Sequence, residues 1–269
     1  MRRELLTLAG DRRPAPREFA LGAADVDLWC ADLDAATDGF VVQVAAMLSA
    51  DEVARAAKFF FARDRRRFMV GRGLLRALLA RYTDLAPAAL RFGYGAHGKP
   101  ALVRPPAPMV HFNLSHGEHL AVYAFATAGA VGIDVERIRD LPDWEAIAQT
   151  CFDAAALGRL KAAPAQRRRA EFFRAWTRQE AALKASGEGL GGVGPLASSR
   201  CAAPTGFAAI RPQVFPLGVG EEFAAAVAVP PTVRWAHCHL WDWSVAPTLQ
   251  PDAHTFNLED PAESRVEFL

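Results

Sequence analysis

The feature that most constrains this chain is the order in which its hydrophobic period changes. Residues 25–33 alternate apolar and polar, with Val26, Leu28 and Cys30 on one face of a strand. Helical text follows. Ser49 with Glu52 makes a capping-box pattern that predicts a helix running to about Phe61. Leu74, Leu75, Leu78, Leu79 and Tyr82 then share one face of a second helix. Residues 91–133 return to strands and turns, with 110–114, 121–125 and 131–136 as strand candidates. A helical block over about 143–185 ends at Gly187, a good C-cap residue, and strand-like text resumes over 205–243. Strand, helices, strands, helices, strands implies an α+β fold in two similar halves and argues against a short-period solenoid. The expected divisions are an irregular segment at 1–24, an N-terminal half at 25–125, a C-terminal half at 126–243 and a polar tail at 244–269.

Charge narrows the function classes. The 269 residues carry 31 Lys+Arg and 30 Asp+Glu, a net +1, unlike a uniformly basic nucleic-acid binder. The balance hides an asymmetry: residues 1–125 hold 17 basic and 13 acidic residues, and residues 126–269 hold 14 and 17. Nine basic residues and one acid, Asp64, fall between Arg55 and Arg81. That run makes nucleic-acid binding a less favoured alternative, and no nucleic-acid partner is expected, because helical arginines are usually a solvated face. Only four of the basic residues are lysines: Lys58, Lys99, Lys161 and Lys184. Cys30, Cys151, Cys201 and Cys238 are scattered, without a CxxC pair, and read as reduced thiols. No uncharged run reaches the roughly 20 residues of a membrane span, and the stretch after Arg2 and Arg3 is too short for an export signal. The expectation is a cytoplasmic protein with no membrane partner.

Four short segments can carry chemistry. In Val131-Gly132-Ile133-Asp134-Val135-Glu136, strand alternation turns Val131, Ile133 and Val135 inward and sets Asp134 and Glu136 side by side on the other face. Two adjacent carboxylates suit Mg²⁺, although a solvated strand face is the commoner reading of such a pair alone. In the helical segment 176–184, Glu180 and Lys184 are i, i+4 neighbours, either an ordinary helical ion pair or a third carboxylate with a phosphate-holding lysine. Phe112-Asn113-Leu114-Ser115-His116-Gly117 places a hydroxyl, an imidazole and free backbone N–H groups in one turn, which suits a phosphate. A Ser-His-Asp hydrolase is disfavoured because adjacent Ser and His do not readily form the nucleophile–base pair and no GxSxG elbow is present. Gly98-Lys99-Pro100 is a rigid turn presenting a lysine. Two patterns are set aside: the GxGxxG match at 187–192 follows a helix rather than a strand, and His237-Cys238-His239 lacks a third ligand nearby in sequence.

Taken together and in order, GKP at 98–100, FNLSH at 112–116, GIDVE at 132–136 and WTRQEAALK at 176–184 resemble the motifs of the surfactin-type (Sfp-type) 4'-phosphopantetheinyl transferases. The resemblance covers about residues 25–243. It implies a 4'-phosphopantetheinyl transferase-like fold: two pseudo-twofold-related α+β halves in one chain, with the active site and coenzyme A between them. It also implies a Mg²⁺-dependent transferase of the holo-[acyl-carrier-protein] synthase type, with Mn²⁺ as an alternative metal. Such an enzyme moves 4'-phosphopantetheine from coenzyme A to a serine of an apo acyl, peptidyl or aryl carrier protein and releases adenosine 3',5'-bisphosphate.

By position, Asp134, Glu136 and Glu180 match the metal carboxylates, and Glu180 and Lys184 the catalytic pair. Arg55, Arg67, Lys99, Pro100, Ser115, His116, Asp134 and Lys184 match coenzyme A-binding positions. The serine proton is expected to pass to Glu180, directly or through a water. Two departures stand out. Gln179 replaces a frequent lysine, and Ala156 stands where many members carry a glutamate, with Asp153 as a partial substitute. They motivate an alternative reading, a non-catalytic homologue that binds coenzyme A or a carrier protein. A monomer is expected, because both halves of the cleft lie in one chain. The carrier, whether from fatty acid, polyketide or nonribosomal peptide (secondary metabolite) synthesis, is not specified by the sequence.

Overall fold

The computed structural model describes residues 6–7, 21–95, 98–103, 108–187, 211–243 and 254–259. Eleven strands and six α-helices are placed among them. In chain order these are β1 (Leu6–Thr7), β2 (Asp25–Asp32), α1 (Asp38–Met47), α2 (Ala50–Ala56), α3 (Ala62–Thr83), β3 (Phe92–Tyr94), β4 (Pro100–Leu102), β5 (His111–Gly117), β6 (Leu120–Ala126), β7 (Gly132–Arg137), α4 (Trp144–Cys151), α5 (Ala154–Ala162), α6 (Ala165–Ser186), β8 (Gln213–Gly218), β9 (Phe223–Val229), β10 (Trp235–Leu240) and β11 (His254–Asn257).

Two sheets dominate, a five-stranded sheet ordered β11-β10-β2-β6-β5 and a four-stranded sheet ordered β1-β8-β9-β7, beside a β3-β4 hairpin. Strand alternation explains how they pack. Val26, Leu28 and Cys30 of β2 and Val122 and Ala124 of β6 join Ile133 and Val135 of β7 and Ala225 and Val227 of β9 in one core between the sheets. The opposite residues, Trp29, Ala31, Tyr123 and Phe125, face Leu74, Leu75, Leu78 and Leu79 of α3. Ala226 and Ala228 of β9 face Ala181 and Ala185 of α6. The molecule is thus layered helix, sheet, sheet, helix, which is why both β6 and β9 are buried along their whole length.

Small residues set the spacing of the last layer. A Cβ on Gly132 would lie 2.0 Å from the carbonyl oxygen of Ala181 and 2.5 Å from the nitrogen of Ala185. Only glycine lets α6 lie directly on β7, and that contact brings Glu180 and Lys184 beside Asp134.

Several expectations are refined. The capping box is present, with the Ser49 N–H donating to the Glu52 carboxylate at 3.0 Å. Its helix, however, ends at Ala56 rather than near Phe61. The chain tightens there through Lys58 N–H to Arg55 O and Phe59 N–H to Ala56 O, and this turns the Phe59 ring against Phe68. The block at 143–185 is three helices, interrupted at Phe152–Asp153 and Ala163–Pro164. α6 does end at Gly187, which adopts φ +77°. β10 pairs parallel with β2, so a late strand completes the early sheet. Of the segments expected to be irregular or loose, Leu6–Thr7 pairs with β8 and His254–Asn257 with β10. Cys30 and Cys238 are buried free thiols, while Cys201 and residues 188–192 of the glycine motif lie outside the described residues. His239 stacks on Trp29 with ring centroids 4.0 Å apart, in keeping with a structural histidine.

Candidate active site

A cavity of about 710 Å³ opens between α3, the β3–β4 hairpin, β5 and α6. That size suits a small-molecule ligand. Five cations line it: Arg55 from α2, Arg67 and Arg72 from α3, Lys99 from the hairpin and Lys184 from α6. Pro100, Ser115, His116 and Glu180 line it too. The motifs separated by up to 85 positions in sequence are therefore brought to one place.

Asp134 lies beneath this wall on β7. Its Oδ1 accepts from Lys184 Nζ at 2.6 Å and from Ser115 Oγ at 2.8 Å. Lys184 also reaches Ser115 Oγ at 3.2 Å and the Ile133 carbonyl at 3.3 Å. β5 and β7 belong to different sheets, and a buried side chain joins them: Asn113 Oδ1 accepts from the Ile133 N–H at 2.8 Å. Of the two readings of Glu180 and Lys184, the simple i, i+4 ion pair is not formed: Lys184 pairs with Asp134, because α6 lies close enough to β7 for the ammonium to reach the strand. Burial, reinforced by the Asp134 charge, pushes the Glu180 carboxyl up to about 7. Glu136 is raised for the same reasons. Burial first, then Lys184, lowers His116, which keeps its imidazole neutral at neutral pH.

The other cations are held in place by partners of their own. Lys99 Nζ donates to the Val131 carbonyl at 3.0 Å and to the Lys184 carbonyl, pinning the hairpin to β7 and α6. Burial and the nearby Lys184 lower it to about 8. Arg67 makes a bidentate pair with Asp34. Arg72 donates to Glu52 at 2.5 Å and to the Tyr94 hydroxyl at 2.6 Å, with its guanidinium 4.4 Å above the Phe92 ring. Arg55 lies 5.5 Å over the Phe68 ring and has no carboxylate within 4.0 Å among the described residues.

Eight of the ten residues expected from sequence line the cavity; Asp134 and Glu136 stand on β7 beside it, Asp134 bonded to two of the lining side chains. Arg72, Tyr94, Phe59, Phe68 and Asn113 also line it and were not singled out. Arg72 is one arginine among nine basic residues and carries no sequence mark of its own. Phe59 and Phe68 share the segment of Arg55, and nothing in the local sequence separates them or Tyr94 from core aromatics.

Comparison with known proteins agrees with this geometry. Residues 36–128 match the family model described as "4'-phosphopantetheinyl transferase, N-terminal", and residues 130–226 match that of the "4'-phosphopantetheinyl transferase superfamily". The chain is 39% identical over 178 residues to the 4'-phosphopantetheinyl transferase HetI of Nostoc sp., covering 66% of this chain and 75% of HetI. The chain belongs to the 4'-phosphopantetheinyl transferase family. It is also 34% identical over 150 residues to psf-1 of Bacillus pumilus and 28% identical over 143 residues to Sfp of Bacillus subtilis, both named 4'-phosphopantetheinyl transferases. Those stretches cover 56% and 53% of this chain and 62% of each relative.

The motif resemblance implies a divalent metal, and the residues can be tested for it. Asp134 Oδ2 is buried without a hydrogen-bond partner, and it stands among two further carboxylates whose proton affinity is raised. Such crowded, under-neutralised oxygens are the donors a hard cation takes. Among the described residues, no three His, Cys, Asp or Glu side chains stand close enough together to enclose a metal ion. Lys184 holds the counter-ion position on Asp134 instead. The donor chemistry fits a divalent ion, and the side chains are not pre-closed around one. Of the departures from the family pattern, Asp153 serves as N-cap of α5, accepting from the Ala156 N–H at 2.7 Å.

Proposed function

We propose that this chain transfers the 4'-phosphopantetheine group of coenzyme A to a serine hydroxyl of an apo carrier protein and releases adenosine 3',5'-bisphosphate. Family membership supports the reading, and one observation carries it: a cavity with five cations on its walls also holds a carboxyl poised near neutrality, Glu180. A polyanion and a proton acceptor are what phosphoryl-type transfer to a hydroxyl requires.

Arg55, Arg67 and Arg72 supply guanidinium donors for the coenzyme phosphates, with Ser115, His116 and the Lys99–Pro100 turn completing the wall. In this reading the Glu180 carboxylate accepts the proton of the carrier serine. The serine oxygen forms a bond to the β-phosphorus, the bond from that phosphorus to the bridging oxygen breaks, and adenosine 3',5'-bisphosphate leaves. Lys184 offsets charge on the leaving group. Mg²⁺ or Mn²⁺, held by Asp134, Glu136 and Glu180, would neutralise pyrophosphate charge. No covalent enzyme intermediate is needed. We assign the chain to the holo-[acyl-carrier-protein] synthase type, acting as a cytoplasmic monomer. Among the described residues no helix is long and apolar enough to cross a membrane.

The test is release of adenosine 3',5'-bisphosphate, followed chromatographically with coenzyme A, Mg²⁺ and an apo carrier. Release that requires the carrier is expected. Tight coenzyme A binding without release across several carriers would instead establish the non-catalytic binding homologue.

A further inference from the structure

We infer that Asp34 is a positioning residue for the cavity: it aims the guanidinium of Arg67 at the phosphates of the bound ligand. The inference rests on the coenzyme A reading above and names a residue that no sequence motif contains. Asp34 sits in a short 3-10 turn, Leu33–Ala35, directly after β2. Its carboxylate accepts from Arg67 Nε at 2.7 Å and from Arg67 Nη2.

This fork-to-fork pair occupies one edge of a planar group, and Arg67 itself lines the cavity. The Nη1 edge is left for a ligand. Arginine otherwise carries about 2 kcal/mol of rotamer entropy, so an arm fixed in advance loses less on binding. The turn that bears Asp34 is itself anchored. The Asp34 N–H donates to Asp32 Oδ1 at 2.9 Å, and the Leu33 N–H donates to the His119 carbonyl at 2.7 Å. Leu33 is buried and forms part of the same cavity wall. The neighbouring pair of Arg66 with Asp38 shows the contrast, since Asp38 is 95% exposed and neither residue lines the cavity.

Two effects of Asp34 oppose one another. Its negative charge repels a polyanion, and its hydrogen bonds orient a cation toward it. Arg67 is mostly buried, with 13% of its side chain exposed, while Asp34 retains 45% exposure. Solvent therefore screens the repulsion more than it loosens the pair, and orientation is the larger effect.

Calorimetric titration of the full chain with coenzyme A decides between them, using wild type, Asp34→Ala, Asp34→Glu, Arg67→Ala and the double variant. Asp34→Ala is expected to weaken binding by about threefold to tenfold. The double variant should bind no more weakly than Arg67→Ala, because the two act as one unit. Asp34→Glu should restore part of the affinity, and KM for coenzyme A should move more than kcat. Tighter binding by Asp34→Ala, or losses that add in the double variant, overturns the inference alone. A wild-type chain with no affinity for coenzyme A overturns the underlying reading together with it.

Discussion

Glu180 and Asp27 are both buried carboxyls with raised pKa, and their surroundings give them different consequences. Glu180 is pushed to about 7 by burial and by Asp134. Protons therefore compete with a metal for this carboxylate, and the Mg²⁺ concentration needed for half-maximal transfer should fall as pH rises through about 7; a requirement unchanged between pH 6 and 8 contradicts the assignment. Glu180→Gln should lower transfer by at least about a hundredfold with the thermal midpoint changed little. Asp27 is pushed to about 6, first by burial, although Tyr82 O–H donates to it at 2.7 Å and nearby His237 lowers it. The folded state thus holds this proton more tightly than the unfolded chain. Its contribution to stability is complete below the ordinary value of 3.8 and is lost as pH rises through about 6. Asp27→Asn should raise the unfolding free energy at pH 8, by at most a few kcal/mol, and flatten its dependence between pH 5 and 7. Of these residues, Glu180 was legible in sequence through its motif. Asp27 was not, because a carboxylate alternating with apolar residues reads as a solvent-facing strand position until α3 and Tyr82 are seen to cover it.

At the scale of elements, the strands were the most legible. Alternation in 25–33 and 131–136 correctly assigned residues to one strand face or the other, since a period of two leaves little ambiguity, but it did not show that both faces of β2 are buried. Helix ends were less so. The capping box identified the start of α2, but after Ala56 the chain tightens and sets Phe59 against Phe68, a tertiary contact that the local pattern does not mark. α1 carries no clear mark in the sequence, although Thr37 caps it, with its hydroxyl accepting from the Phe40 N–H at 3.2 Å. Its apolar residues include Val42, 73% exposed, so no clean amphipathic stripe marks it. The contact of α6 with β7 carries the sharpest prediction at this scale. Gly132→Ala should cost about 2–4 kcal/mol or abolish soluble folding, because both clashing atoms are backbone and cannot swing aside. Gly187→Ala should cost only about 1 kcal/mol, the strain of a left-handed residue at an open helix end. Urea denaturation of the two variants separates them, and equal losses would show that the α6–β7 spacing is not set by Gly132.

For the whole molecule, a net charge of +1 conceals a cavity that concentrates cations from α2, α3, the hairpin and α6. Focused charge of this kind makes coenzyme A affinity fall as salt rises, even in a nearly neutral protein, and titration from about 50 to 300 mM salt should show it. The two-half α+β arrangement could be inferred from the order of strand and helix text and from four ordered motifs. What could not be inferred was how the halves are stitched. β10 crosses back to β2, and Asn113 of β5 ties to Ile133 of β7. Such pairings join residues far apart in sequence, and local periodicity holds no information about them.

The activity assigned to this cavity is group transfer to a carrier serine. Intact-mass measurement of a panel of apo carrier proteins, incubated with the full chain, coenzyme A and Mg²⁺, tests it most directly. A carrier heavier by one phosphopantetheine group is expected, with the added mass on its serine and no gain with Glu180→Gln. Unmodified carriers throughout the panel, under conditions where an established transferase modifies them, would contradict it.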